Sequence, residues 1–279
     1  MKGTTWHRLA VVGSLLTTVV FGLLLGDLVW QGLPQISLRF LWRTPSELSS
    51  LGGVGPELLN TLLMVGAASA ITIPLGLAAA ILRIEYGARP GFLLVFDRMR
   101  YTLLSLPTIV IGLMVFEWVI VGMRWPLSVG AGVIALAVVN WPFVVDVSVA
   151  ALSGVPDSFR EASLALGATK YLTLLRVVLP SALPALVSGL GMAIARLMGE
   201  SAVLIFTAGI NVSQHWGWSA PGETLAVHLW YLRTESVAPH ADAQAAATGV
   251  VLLLLVGLVL YLTQKLAHWL KPMDALKKI

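Results

Sequence analysis

Two opposite charges, Arg196 and Glu200, stand four residues apart in the apolar stretch 182–209. A charge at the centre of a bilayer costs about 2.5–3.5 kcal/mol on insertion scales, so each one needs a physical reason. If the stretch is a single helix, one stripe of it carries small and polar residues, namely Gly189, Arg196, Glu200 and Thr207. The pair is then either a self-neutralising contact between helices or part of a polar path in which the arginine meets a passing anion.

A second polar segment, 157–180, lies between two apolar runs and includes REASLALGATKYLTLLRVVLP (160–180). Ser158 and Glu161 form an S-x-x-E capping box, which predicts the start of a helix. Gly167 suits a left-handed C-cap, and a second helix leads to Pro180. Mostly apolar residues recur at helical spacing on one face of each helix: Phe159, Ala162, Ser163 and Leu166 on the first, and Tyr171, Leu174, Leu175 and Val178 on the second. The helix–turn–helix either rests on the lipid surface or binds a cytoplasmic partner.

The remaining titratable residues do not form a recognisable reactive group. Asp146 lies in an apolar stretch, and its sequence leaves open whether it belongs to a polar path. The histidines are scattered near the ends of apolar runs, and we expect them on the surface: His7, His215, His228, His240 and His268. Cysteine is absent. The sequence therefore predicts no catalytic residues and no metal site.

Composition identifies the elements that must position these residues. The 279-residue chain is 57% hydrophobic and only 11% charged, against roughly 25% charged residues in soluble domains. Six stretches are long and apolar enough to cross a bilayer: 9–30, 58–82, 101–123, 127–151, 182–209 and 244–266. We therefore predict an all-α integral membrane protein with six transmembrane helices.

The distribution of Lys and Arg predicts the orientation. With the N-terminus inside, 13 of the 18 fall in cytoplasmic segments and four outside, while Arg196 lies within a span. This asymmetry places both termini in the cytoplasm. It also accounts for the basic balance without nucleic acid as a partner. The first stretch has a long apolar core and no A-x-A site, so we expect an uncleaved anchor and not a signal peptide.

The polar segment matches a known pattern. Glu161-Ala162-Ser163, three residues, Gly167, nine residues and then Val177-Val178-Leu179-Pro180 resemble the EAA loop of bacterial ABC importer permeases, EAA-x3-G-x9-I-x-L-P. Residues 157–180 are called the EAA loop below. The stretches LLSLPTIVIGLMVF (103–116) and ARLMGESAVLIFTAG (195–209) also resemble the permeases of phosphate ABC importers of the PstA type. That family usually reads Gly-Glu-Thr-Ala-Pro where this chain has Gly199-Glu200-Ser201-Ala202-Val203.

This resemblance implies a type I ABC importer permease fold in the bacterial inner membrane. The implied activity is translocation of inorganic phosphate, as a transport subunit and not as an enzyme. The implied partners are a second homologous permease of the C type, two ATPase subunits and a periplasmic phosphate-binding protein, besides membrane lipid. The chain lacks G-x-x-x-x-G-K-[ST], so the partner ATPase would bind ATP and this chain would need no cofactor.

Residue roles follow from the same resemblance. The implied substrate pathway includes Arg196, Glu200 and Thr207. The implied ATPase-docking residues are Glu161, Ala162, Gly167, Leu179 and Pro180. We expect an anchor helix and outer loop over 1–56, the permease core over 57–269 and a cytoplasmic tail over 270–279.

Three alternatives remain open. The substrate could be another oxyanion, such as sulfate, molybdate or tungstate, since related permeases carry a similar Arg and Gly-Glu. A polytopic intramembrane enzyme with Asp146 and Glu200 as paired acids leaves the EAA loop unexplained. A proton-driven secondary transporter leaves the same loop without a role.

Overall fold

The computed structural model describes residues 2–45, 52–87, 89–210, 217–238 and 240–270, and these ranges form helices without strands. They contain twelve α-helices: α1 Lys2–Gly32, α2 Leu38–Trp42, α3 Gly55–Ile84, α4 Pro90–Ser105, α5 Thr108–Val115, α6 Val129–Ser153, α7 Asp157–Ala165, α8 Lys170–Thr173, α9 Leu179–Met198, α10 Ala202–Ile205, α11 Leu225–Thr234 and α12 Ala241–Trp269. π-Helical turns extend α5 over Phe116–Gly122 and join α8 to α9 over Leu174–Val178. The predicted all-α class is confirmed.

Five helical segments of the described chain are long and apolar enough to cross a membrane: Trp6–Gln35, Gly55–Ile84, Val129–Ser153, Lys170–Met198 and Ala241–Trp269. Each overlaps one of the predicted spans. Prolines lie inside three of the long helices, at Pro74, Pro142 and Pro184. The rest of each helix continues past the carbonyl that its proline frees.

The third predicted span, 101–123, is not one straight helix. Its place is taken by Pro90–Ser105 and Thr108–Gly122, which meet at 105° and together make a sixth span if the bent pair is counted as one. Leu106 is extended, with ψ of 136°, and Pro107 follows it. A residue before proline is driven out of the helical region, so the chain turns there.

The fifth predicted span, 182–209, is also wrong at its C-terminal boundary. Helix α9 ends at Met198, and Gly199 caps it before the short helix α10 begins at Ala202. Gly189 and Arg196 therefore lie on α9, whereas Glu200 and Thr207 lie beyond it. The single polar stripe expected for these residues does not form.

Helices α3 and α6 make the most extensive contact, and α9 and α12 complete the bundle. The close approach of α3 to α6 depends on Gly76, where a Cβ would come within 2.6 Å of Val144 Cγ1. The largest apolar core gathers buried residues of α3, α5, α6, α9, α10 and α11. Helix α1 lies at the edge of the bundle against α12, and its apolar window is not buried within this chain.

The bundle has two ends that carry different polar groups. The loop end contains the EAA loop and the C-terminal ends of α3 and α6. The α11 end contains the N-terminal end of α3 and helix α11. His215 and residues 271–279 lie outside the described residues. The surface position of His215 and the cytoplasmic location of the tail therefore remain predictions.

Candidate functional site

The EAA loop folds as two helices joined by a sharp turn, as predicted. Helix α7 ends at Ala165 with Leu166 as its C-cap, and Gly167 follows with a φ of +84°. The Gly167 N–H donates to the Leu164 carbonyl over 2.9 Å, and the Ala168 N–H donates to the Ser163 carbonyl over 3.2 Å. These two bonds form a Schellman motif, which places a residue without a Cβ at the left-handed position. The predicted role of Gly167 in the turn is confirmed.

The predicted capping box at Ser158 and Glu161 is wrong. Helix α7 begins at Asp157 with Pro156 as its N-cap, two residues before the predicted cap, and no side chain caps it. Proline before the helix fixes the entry of the chain, and Asp157 places a negative charge in the first turn. Glu161 is therefore left exposed on the loop and is not used in capping.

Arg160 holds α7 against the rest of the protein. Its guanidinium donates to Glu85, at the end of α3, with the shortest contact at 2.9 Å. It also donates to the carbonyls of Val155 and Leu152 at 2.7 and 2.9 Å, and to the Asp157 carboxylate at 3.1 Å. One arginine thus joins α3, the end of α6 and α7 through charge-assisted hydrogen bonds.

A second contact and an apolar core hold the two loop helices together. The hydroxyls of Ser163 and Thr173 lie 2.9 Å apart and share a hydrogen bond. Below them, Leu174 and Val178 are buried in a separate core with residues of α3, α6 and α9. A cavity of about 420 Å³ opens between α7, α8 and the end of α3, with Arg160 and Thr173 in its lining.

The opposite face of the EAA loop has no partner within the described chain. Phe159, Leu166 and Tyr171 are exposed, and Leu166 retains 89% of its accessible surface. Glu161 and Ala162 are exposed on the same loop. Of the face predicted for α7, Phe159, Ala162 and Leu166 therefore point away from the protein, whereas Ser163 contacts Thr173. Exposed apolar side chains on a rigid and well-anchored element are typical of a binding surface.

The three predicted pathway residues occupy different surroundings. Arg196 is exposed in the last turn of α9, and its guanidinium carbon lies 5.2 Å from the centre of the Phe143 ring on α6. Glu200 is half-buried beyond the helix end, and the described residues show no ion pair between it and Arg196. Thr207 is fully buried and donates its hydroxyl hydrogen bond to the Val203 carbonyl at 2.9 Å. The self-neutralising pair is therefore not observed, and the pathway roles stay predictions.

Asp146 has a buried cationic partner in Arg100. Arg100 is buried on α4, and its guanidinium contacts the Asp146 carboxylate on α6. Asp97 lies 3.5 Å from Arg100 and accepts two hydrogen bonds from Arg83 on α3, at 3.0 and 2.8 Å. This network joins α3, α4 and α6. The i,i+3 spacing of Asp97 and Arg100 was the only part of it visible in the sequence.

Helix α11, Leu225–Thr234, is buried on one side against neighbouring helices. His228 retains only 2% of its accessible surface. The prediction that this histidine is a surface residue is therefore wrong. Apolar residues on either side of His228 were the available signal, because they place it on a packed helix face.

Comparisons with known proteins agree with this architecture. The profile of the family described as "Binding-protein-dependent transport system inner membrane component" matches residues 72–268. The probable ABC transporter permease protein YqgI of Bacillus subtilis is 31% identical over 273 residues, which cover 93% of this chain and 91% of that protein. The phosphate transport system permease protein PstA of Yersinia pestis is 34% identical, covering 89% of this chain and 84% of that protein.

A solved structure shows the same fold at low sequence identity. The chain aligns with one chain of the MetNI methionine ABC transporter in an inward-facing conformation, with a TM-score of 0.60 and 23% identity. The alignment covers 77% of this chain and 95% of that one.

The fold and the EAA loop together define a multi-pass permease subunit of the type I ABC importer class. The chain belongs to the family of binding-protein-dependent transport system inner membrane components. It is a transport component and not an enzyme.

Proposed function

We propose that this chain is the permease subunit through which an ATP-driven importer carries inorganic phosphate into the cytoplasm. Its similarity over most of its length to a phosphate transport system permease supports phosphate as the substrate. The observation that carries the proposal is the exposed Arg196 at the end of α9, a helix that follows directly from the EAA loop.

Arg196 needs a polar environment that this chain alone does not supply. A guanidinium on a spanning helix is costly to expose to hydrocarbon, so water or protein must cover it. Because Arg196 projects from the bundle, a second permease subunit facing α9 would enclose it beside a central path. A guanidinium there can bind a phosphate through two parallel hydrogen bonds. Glu200, close by in sequence, would keep the site from holding the anion too tightly for release.

The EAA loop supplies the coupling surface in this proposal. Its exposed residues Phe159, Glu161 and Ala162 would insert into a groove of an ATPase subunit, in the helix-in-groove manner. Leu179 and Pro180 stand where the loop joins α9 and would transmit the contact. The full assembly would contain a second permease, two ATPases and a periplasmic phosphate-binding protein in the bacterial inner membrane.

Transport by the reconstituted whole complex tests the substrate. Uptake of labelled phosphate into vesicles that contain ATP should exceed uptake without ATP. An excess of sulfate, molybdate or tungstate should leave that uptake unchanged. Inhibition by one of these oxyanions, together with its own ATP-dependent uptake, would replace phosphate as the substrate.

Variants of the same complex test the pathway role of Arg196. Arg196→Gln should abolish phosphate uptake while the complex still assembles, and Arg196→Lys should retain little activity because a lysine offers only a point charge. Glu200→Gln should slow turnover by retaining the anion. Met192→Gln, one turn earlier on the same exposed face of α9, is the matched control and should transport normally. Wild-type uptake by a well-assembled Arg196→Gln, Glu200→Gln double variant would contradict the role.

A further inference from the structure

Three titratable side chains from distant parts of the sequence meet inside the α11 end. Glu57 lies in the first turn of α3, Glu223 precedes α11, and His228 lies on α11. Each retains 2% or less of its accessible surface. One potential ligand atom from each lies within 4.8 Å of the other two. We call these three residues the buried acid–histidine cluster.

The hydrogen bonds within the described residues leave most of the carboxylate oxygens without partners. His228 Nδ1 and Glu223 Oε1 lie 2.7 Å apart. Both Glu57 oxygens and Glu223 Oε2 have no hydrogen-bond partner among these residues. No Lys or Arg of the described chain forms an ion pair with either glutamate. A buried carboxylate with neither a donor nor a cation costs several kcal/mol, so these oxygens require a further compensating group.

Charge balance indicates which chemical group would compensate the carboxylates of Glu57 and Glu223. Even a protonated His228 would offset only one of the two carboxylates and leave one negative charge buried. A divalent cation with a neutral imidazole would offset both carboxylates. It would also bond the oxygens that now have no partner. We therefore infer that the buried acid–histidine cluster is a site for a divalent transition-metal ion, of which Zn²⁺ is the best match.

The ligand types favour Zn²⁺ over the hard cations. One imidazole and two carboxylates form a mixed nitrogen and oxygen set, which suits Zn²⁺ in four-coordinate sites. Mg²⁺ and Ca²⁺ prefer six or more oxygen ligands. Tetrahedral bonds of about 2.0–2.2 Å require ligand atoms about 3.3–3.6 Å apart. One separation in the cluster is 2.7 Å and none of the three ligand-atom pairs exceeds 4.8 Å, so small side-chain shifts would reach this spacing.

The surrounding hydrogen bonds already fix the backbones that carry the ligands. Asn60 donates from its side-chain amide to the Glu223 carbonyl at 3.2 Å. Thr61 donates its hydroxyl to the Glu57 carbonyl at 2.7 Å and accepts from the Leu225 N–H at 2.9 Å. Such outer contacts orient metal ligands. An ion here would fasten the start of α3 to α11, separately from the transport path.

Metal content of the assembled complex tests the inference. The chain should be expressed in zinc-supplemented and in zinc-depleted medium, because an enclosed site fills as the protein folds. Purification should use a tag without histidine and buffers without chelator. Elemental analysis of the supplemented wild type should give about one more Zn²⁺ per permease chain than a Glu57→Gln variant. Its thermal-unfolding midpoint should exceed that of the zinc-depleted wild type.

Matched variants separate the cluster from incidental binding. Glu235→Gln and His240→Asn change an exposed acid and an exposed histidine near α11 and should keep the metal. Replacing Zn²⁺ by Co²⁺ should give visible absorption bands in the wild type that are lost in Glu57→Gln. Equal metal content in wild type and Glu57→Gln, with equal midpoints for the supplemented and depleted wild type, would overturn the inference. A proton on one carboxylate would then remove the excess charge. Neither measurement depends on transport, so the phosphate proposal stands or fails separately.

Discussion

Helix α3 carries one glutamate near each end, and the two differ in their burial and in their partners. Glu85, just beyond the C-terminal end, accepts hydrogen bonds from Arg160 and remains near the surface of the loop end. Glu57, in the first turn, is enclosed at the α11 end without a cationic partner among the described residues. At about 1.5 Å per residue, the 30 residues of α3 separate these ends by roughly 45 Å.

The difference shows how each end is used. At the loop end, arginines on neighbouring elements bind the acids and hold a segment whose outer face stays exposed. At the α11 end, uncharged hydrogen-bond donors position the backbone, and the charged side chains are buried together. An exposed face on an anchored segment is available to another protein, whereas a buried group of acids is available only to a small ion.

The largest effect is expected from removing the arginine of the loop end. Arg160→Met leaves Glu85 largely buried without its partner, with only 14% of its side chain exposed. Loss of one member of a buried ion pair costs about 3–5 kcal/mol. The thermal-unfolding midpoint of the purified protein should therefore fall sharply. Arg176→Met removes an exposed cation from the same loop and should have little effect.

A double variant tests whether the cost comes from the uncompensated charge. Arg160→Met with Glu85→Leu should recover most of the midpoint, because replacing both partners removes the buried charge. If the double variant is as unstable as Arg160→Met, the bonds from Arg160 to the Val155 and Leu152 carbonyls are the main contribution. The contrast between the two ends would then rest on backbone hydrogen bonds.

At the α11 end, the next largest effect is expected from Thr61. Thr61→Val removes the acceptor of the buried Leu225 N–H and the donor to the Glu57 carbonyl. An unsatisfied buried donor costs about 1–3 kcal/mol. Chemical denaturation should show a lower stability, whereas Thr61→Ser keeps the hydroxyl and should lose much less. A stable Thr61→Val variant would show that α11 is held by apolar packing alone.

Gly167 should affect the exposed surface more than the bundle. A side chain at its left-handed φ costs about 1–2 kcal/mol, and no atom lies within 4 Å of a Cβ built there. Gly167→Val should therefore reorient or unfold the turn, so that the ATPase no longer co-purifies while membrane insertion survives. Gly167→Asn is the control, because asparagine tolerates this conformation. Normal co-purification and uptake with Gly167→Val would refute the docking role of the turn.

The smallest effect is expected from the hydroxyl pair of the EAA loop. Thr173→Val removes one neutral hydrogen bond to Ser163, which contributes about 0.5–1.5 kcal/mol. Ser163 is half-buried, so water can replace the lost partner. The loss should therefore be smaller than for Thr61→Val in the same denaturation assay. An equal loss would show that the loop end is as closed to water as the α11 end.

The sequence predicted the features that depend on neighbouring residues. The EAA loop has a local pattern of spacing, and Gly167 occupies the left-handed position that the pattern requires. Long apolar runs predicted the spanning helices within a few residues at most boundaries. Hydropathy reports only apolar length, however, so it missed the bend at Pro107 and the end of α9 at Met198.

The missed features depend on residues far apart in the sequence. Arg160 meets Glu85 across 75 positions, and neither residue stands out from ordinary cytoplasmic charges. Glu57 and Glu223 come from different helical regions and meet only when α11 packs on α3. No periodicity encodes such a pairing, so the buried acid–histidine cluster was visible only in three dimensions.

The π-helical turn at Leu174–Val178 makes one continuous helical segment between the EAA loop and Arg196. It joins α8 to α9 without a break, so one helical rod runs over Lys170–Met198 and carries the EAA loop at one end and Arg196 at the other. At about 1.5 Å per residue the 29-residue rod is roughly 43 Å long. Pivoting such a rod about one end by about 5° moves its other end by about 4 Å. That displacement exceeds the length of a hydrogen bond, so a small tilt imposed at the loop would break the anion contacts proposed for Arg196.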